Sequence, residues 1–261
     1  MNPLEVNILI LSAGAIQGVF LFLLLYKKRN KIPGYTFLAA YWLVLLLQVT
    51  MKIGDKLWFM QHVRPLYSFS YQLPFLYGPL AWLFIRQATG KYALRKRELL
   101  HFLPLLLIIV SYIIIYTGNT LPRIFWPLFN TIQAMILQLI SLFVYHVLAF
   151  RVLKMYRKSL PVHFTELYKT KINWLGQFVT GSLAACCVIA VAICLMYIYF
   201  PRGQNFRYGF AVLTIFIYWI CYKVWTQPGL FNVVLGKADE PGEKAIPQLT
   251  VHRAPKKYSY S

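Results

Sequence analysis

The side chains able to do chemistry are few and widely spaced. The chain holds 7 acidic residues, namely Glu5, Asp55, Glu98, Glu166, Asp239, Glu240 and Glu243, and none falls inside a long apolar run. Ion-coupled pumps and carriers need intramembrane carboxylates, so this distribution argues against a proton pump and a cation-coupled carrier. The histidines His62, His101, His146, His163 and His252 are scattered. They show neither HExxH nor a second ligand one turn away, so no metal site is expected. His101 and His146 are expected at the inner edge of a membrane. Cys186, Cys187, Cys194 and Cys221 all lie within apolar runs and are expected to be free, buried thiols rather than a disulfide framework. Lys223 sits near the end of the last apolar run, where snorkelling accounts for it better than a retinal Schiff base. No nucleophile–base pair or glycine-rich phosphate loop is present. The expectation is a protein without enzymatic activity and without a cofactor.

What remains are uncharged polar groups inside apolar runs. Gln48, Tyr71, Gln72, Asn130 and Gln133 fall in the outer half, and Gln17, Tyr77 and Tyr218 near mid-depth. Polar side chains at membrane depth face the bundle interior. They serve either as interhelical hydrogen bonds, worth roughly 0.6–2 kcal/mol each, or as the lining of an outward-opening pocket. Gln17, Gln72, Tyr77, Asn130, Gln133 and Tyr218 are the candidate ligand-binding residues on the second reading.

The elements that position them are membrane helices. Hydrophobic residues make up 59% of the chain and charged residues 13%, and several runs reach the length of about 18–20 residues that spans a bilayer. The net charge is +20. Lys and Arg cluster in short loops between apolar runs, which is a topology signal and not a nucleic-acid footprint. The runs are Asn7–Tyr26, Gly34–Met51, Tyr67–Arg86, Leu99–Tyr116, Ile124–Phe150, Phe178–Phe200 and Phe206–Trp225. Basic clusters follow the first, third and fifth. The predicted fold is therefore an all-α membrane protein, a seven-transmembrane helix bundle with its N-terminus outside and its C-terminus cytoplasmic. Residues 1–228 form the membrane domain, and 229–261, rich in proline and mixed charge, form a flexible cytoplasmic linker. The N-terminus lacks the basic region of a signal peptide. Basic loops should favour anionic membrane lipids.

The third run carries Pro74, Gly78 and Pro79 near its middle. Proline removes a backbone donor and clashes with the preceding turn, and in lipid the freed carbonyl must find a partner in the protein. A central, kinked helix is predicted. Gly14 and Gly18 in the first run, and Gly181 with Ala185 in the sixth, are small-residue faces for close helix approach. The Gly14–Gly18 pair serves either packing within the chain or a homodimer.

Five segments in order carry a resemblance: 12–19 (SAGAIQGV), 73–80 (LPFLYGPL), 100–104 (LHFLP), 173–175 (NWL) and 227–231 (QPGLF). Together they resemble the membrane-bound AraC-type transcriptional regulators of Bacteroidetes-like bacteria, over nearly the whole chain. The resemblance implies a seven-helix sensor domain in the bacterial inner membrane ahead of a cytoplasmic helix-turn-helix domain. That second domain is not in this sequence, which ends at what resembles the linker preceding it. DNA would be reached only through it. The ligand is an unidentified small molecule or lipid. A carrier or channel for a small solute or lipid is the alternative.

Overall fold

The computed structural model describes residues 3–29, 34–54, 62, 69–90, 96–117, 131–159, 166–199 and 209–226. Among these the secondary structure is helical, without strands. The helices are α1 (Pro3–Lys28), α2 (Tyr35–Ile53), α3 (Tyr77–Thr89), α4 (Leu103–Tyr116), α5 (Thr131–Ser159), α6 (Glu166–Tyr199) and α7 (Ala211–Thr226). Short 3-10 turns, Leu73–Leu76 and Lys96–Phe102, lead into α3 and α4. Five segments are long and apolar enough to cross a bilayer: Glu5–Lys27, Tyr35–Ile53, Glu98–Ile115, Gln133–Lys158 and Lys169–Leu195. Ala211–Lys223 is a shorter apolar helix, and α3 with its preceding turn is the broken one. The chain is an all-α, multi-pass membrane-type protein.

Helix α2 sits at the centre. It packs against α1 and α3, and α1 packs in turn on α7. Helix α5 lies between α3 and α6. Trp42, Leu45, Leu11, Leu25, Phe84, Phe178 and Ile217 are fully buried in one continuous core. Aromatic rings knit that core together. Tyr41 and Phe84 each meet Phe178, at 5.5 and 5.4 Å, and Trp42 stacks on Phe216 at 6.2 Å. Ring pairs at these separations contribute about 0.5–1.5 kcal/mol beyond the area they bury. In lipid that directional packing matters more, because apolar burial alone distinguishes a helix neighbour poorly from an acyl chain.

The small residues have defined neighbours. A side chain begun at Gly14 would meet the Thr214 methyl at 2.6 Å, and one at Gly18 would meet Leu46 at 2.5 Å with Ile217 close behind. The Gly14–Gly18 face is thus filled from within the chain by α2 and α7 and is not an open dimer surface. Gly181 faces Trp219 and Phe216 of α7, and Ala185, one turn on, is buried on α6. Gly34 begins α2 with φ 92°, and a Cβ there would lie 3.1 Å from the Phe84 carbonyl. Only glycine combines that left-handed backbone with so close an approach to α3.

The expectation of buried thiols fails for two of four cysteines. Cys187 and Cys194 are exposed on the outer surface of α6, whereas Cys186 and Cys221 are partly covered. Membrane depth and burial among helices are separate properties, and an apolar run reports only the first.

Candidate functional site

The break before α3 organises the polar interior. Its backbone follows 3-10 bonding: Gln72 N–H donates to the Phe69 carbonyl (2.8 Å) and Phe75 N–H to the Gln72 carbonyl (3.1 Å). In that register residue 74 should donate to the Tyr71 carbonyl, but proline has no N–H. Gln138 of α5 supplies the substitute. Its Nε2 donates to the Tyr71 carbonyl at 2.8 Å and to Gln72 Oε1 at 3.3 Å. Pro79 costs less, because it lies in the first turn of α3, where amides have no intrahelical acceptor anyway. Gly78 is buried, and Tyr145 of α5 occupies the space a side chain there would need, at 2.9 Å. The kink is a joint between α3 and α5.

From this joint a polar seam runs along α2. Tyr41, Gln48 and Lys52 recur at intervals of seven and four residues and so share one face of the helix. All three are buried. Their span of 11 residues is about 16 Å of helix. At one end the Lys52 ammonium donates to Ser70 Oγ at 3.1 Å and lies 3.5 Å from the centre of the Tyr71 ring, a favourable cation–π placement. Midway, the Tyr77 hydroxyl donates to Gln48 Oε1. At the other end Tyr41 Oη and Ser182 Oγ of α6 are 2.7 Å apart, and Ser182 Oγ lies 3.3 Å from His146 Nε2 of α5. His146 Nδ1 is 2.7 Å from the Leu142 carbonyl. The Tyr41 and Tyr77 rings, 5.5 Å apart, connect the two hydrogen-bonded groups. Four helices therefore exchange hydrogen bonds through side chains that water does not reach, where each unmade bond would cost about 1–3 kcal/mol.

A second polar cluster lies where α3 meets the turn before α4. Arg86 Nη1 and Glu98 Oε1 are 2.7 Å apart, and His101 Nδ1 is 2.9 Å from the Tyr145 hydroxyl. Trp82 packs edge-on against His101 at 4.7 Å. This cluster ties α4 to the rest of the bundle.

The sequence-predicted ligand residues divide. Gln72 and Tyr77 belong to the seam. Gln17 is half-buried between α1 and α7 and shares a hydrogen bond with the Cys221 thiol, away from it. Tyr218 is 41% exposed, on a stripe with Ile215 and Tyr222 that faces outward. Its neighbours Phe216 and Ile217 take the buried side, so the helical phase of α7 removes it from the interior. Gln133 is exposed near the start of α5, and Asn130 lies outside the described residues. The expectation that His146 sits at the membrane's inner edge also changes: it lies midway along the apolar segment Gln133–Lys158 and is 1% exposed. The sequence alone does not single out Tyr41 or Ser182 as site residues. The one sequence signal for this end of the seam is the seven-and-four spacing of polar residues on α2.

Among the described residues no group of three metal-ligating side chains forms a metal site. Comparison with protein-family models, with curated proteins and with solved structures finds no match.

Proposed function

We propose that this chain is the membrane-embedded signal-sensing domain of a one-component AraC-type transcriptional regulator. It is read as seven spans, N-terminus outside and C-terminus cytoplasmic, in the bacterial inner membrane. Its role is non-enzymatic. A signal arriving from outside or within the lipid shifts the packing around α2, and α7 passes the shift to a cytoplasmic DNA-binding domain carried beyond residue 261. The ordered segments 12–19, 73–80, 100–104, 173–175 and 227–231 support the family, and the basic loops support the orientation.

The observation that carries the sensing role is the polar seam. A bundle that had only to hold together could pack apolar side chains there. A seam whose bonds join α2 to α3 and α6, and through Ser182 to α5, is where a second set of pairings would form, and a ligand chooses between two such states if it binds them unequally. Gln72 and Tyr77 are the ligand contacts on this reading, with Gln48 as the partner of Tyr77.

The test is a reporter assay in the full-length regulator. Replacing Gln72 and Tyr77 together is expected to abolish the response to its signal while the protein still reaches the membrane. A normal response would end the proposal. A helix-turn-helix pair encoded after Ser261 is expected. Uptake of small solutes by liposomes holding the purified chain would favour a carrier instead.

A further inference from the structure

We infer that His146 is a proton-binding site, and that protonating it reverses its hydrogen bond with Ser182 and unsettles the chain joining α5 to α6 and α2. The directions of that chain follow from its fixed end. The Leu142 carbonyl can only accept, so the proton of a neutral imidazole lies on Nδ1, 2.7 Å away. Nε2 is then a bare acceptor, and the Ser182 hydroxyl donates to it across 3.3 Å. Ser182 Oγ in turn accepts from the Tyr41 hydroxyl at 2.7 Å. Every group in the row is satisfied with the imidazole neutral.

A proton taken from water adds to the Nε2 lone pair, and no other covalent bond to the protein changes. Nε2 becomes a donor. Ser182 must then accept from it, and the serine proton loses the acceptor it had: it either turns toward Tyr41, reversing the chain, or is left over while Ser182 accepts from both neighbours. In either arrangement one hydroxyl proton, that of Tyr41 or that of Ser182, has no acceptor in the row and must find another. Such a rearrangement is costly among side chains that are each at most 1% exposed, and it is relieved by moving α2 relative to α6. A single protonation at α5 is thereby converted into displacement of the central helix.

Among the described side chains, the buried or half-buried titratable and charged groups on the elements packed against α5 are Tyr77 and Arg86 on α3, and Lys171 and Cys186 on α6, whereas Lys169, Cys187, Cys194 and Tyr199 of α6 are exposed. Tyr145, beside His146 on α5, turns instead to His101 near the Arg86–Glu98 pair. Cys186 is one turn beyond Ser182 on the same face. Lys171 is three turns back along α6, beside the Tyr156 ring. Tyr41 on α2 joins through Ser182.

This inference deepens the sensing role by naming its input, but its test needs only the isolated chain. Purified chain in nanodiscs, carrying ring-labelled histidine, is titrated by NMR while tryptophan emission reports the core around Trp42 and Trp174. One histidine resonance, missing from the His146→Gln variant, is expected to titrate as a single-proton step with helix content unchanged. Emission should change at the same midpoint in the parent chain and stay flat in H146Q. In Ser182→Ala the resonance should still titrate, but the emission step should vanish because the relay to Tyr41 is cut. The inference is overturned if no resonance of His146 moves over the pH range in which helix content holds. It is equally overturned if the emission step survives in H146Q or S182A. A transcriptional response intact in a full-length regulator carrying H146Q would overturn the proton as input while leaving the sensing role standing.

Discussion

Helices α2 and α4 make opposite use of the same raw material. Both are apolar enough to cross a bilayer, yet 56% of the α2 segment is buried against protein and only 17% of the α4 segment. The less apolar of the two is the more buried. In water that order would be reversed, because apolar surface drives the more greasy helix inward. In lipid, apolar surface is satisfied anywhere, and the groups that need protein around them are the polar ones. Tyr41, Gln48 and Lys52 draw α2 to the centre. Helix α4 exposes Leu103, Leu106, Leu107, Ile109, Val110, Ile113 and Ile115 and keeps its own Ser111 satisfied by the Leu107 carbonyl at 2.7 Å. It is attached chiefly through its preceding turn.

Four substitutions would break or sharpen this contrast, in descending order of effect. Phe178→Ala empties the ring that touches Tyr41, Phe84, Trp174 and Phe216. A loss of about 3 kcal/mol is expected in a reversible unfolding measurement in bicelles. A loss no larger than that of a surface change would mean the core does not hold the bundle. Gly14→Leu forces a side chain into Thr214, and a cost of about 1–3 kcal/mol is expected from overpacking. Because the glycine face is filled within the chain, that cost should be the same at every protein concentration. A cost that disappears on dilution would place the glycines in a dimer.

Tyr77→Phe removes the donor to Gln48 and keeps the ring. About 1–2 kcal/mol is expected, since a buried amide oxygen loses its partner, and double replacement with Gln48→Leu should recover part of it. Additive losses would show that the two side chains do not act as a pair. Leu106→Ala, on the exposed face of α4, should change stability by no more than about 0.5 kcal/mol. A change as large as that from F178A would mean that α4 has a protein neighbour.

The positions of the helices, the break at Pro74 and the need for a neighbour to repair it were all readable from apolar run length and proline chemistry. The identity of the repairing group was not, because Gln138 is one of several amides at similar depth and nothing local selects it. The same limit explains Tyr218 and Gln17. Hydropathy gives how deep a residue lies, but the direction it faces depends on helix rotation, which the packing of Phe216, Ile217 and Trp42 decides. Ser182 is illegible in the sequence for a different reason. A serine among Gly181, Ala184 and Ala185 reads as one more small residue for close approach, and its hydroxyl acquires meaning only when His146 and Tyr41 arrive from other helices. The glycine pair of α1 was legible as a contact face, but whether the partner is α7 or a second copy is a question of tertiary arrangement.

The stand-in amide at the kink also sets an order of events during synthesis. Gln138 follows Tyr71 by 67 residues, so the bond that repairs the break forms only after the ribosome has extended the chain well beyond α3. Until then the segment is a poor candidate for release into lipid, where a gap in the backbone pattern has nothing to fill it. Helix α3 should therefore leave the translocon together with α5 and not ahead of it, and a nascent chain stopped before residue 131 should still hold α3 against the insertion machinery.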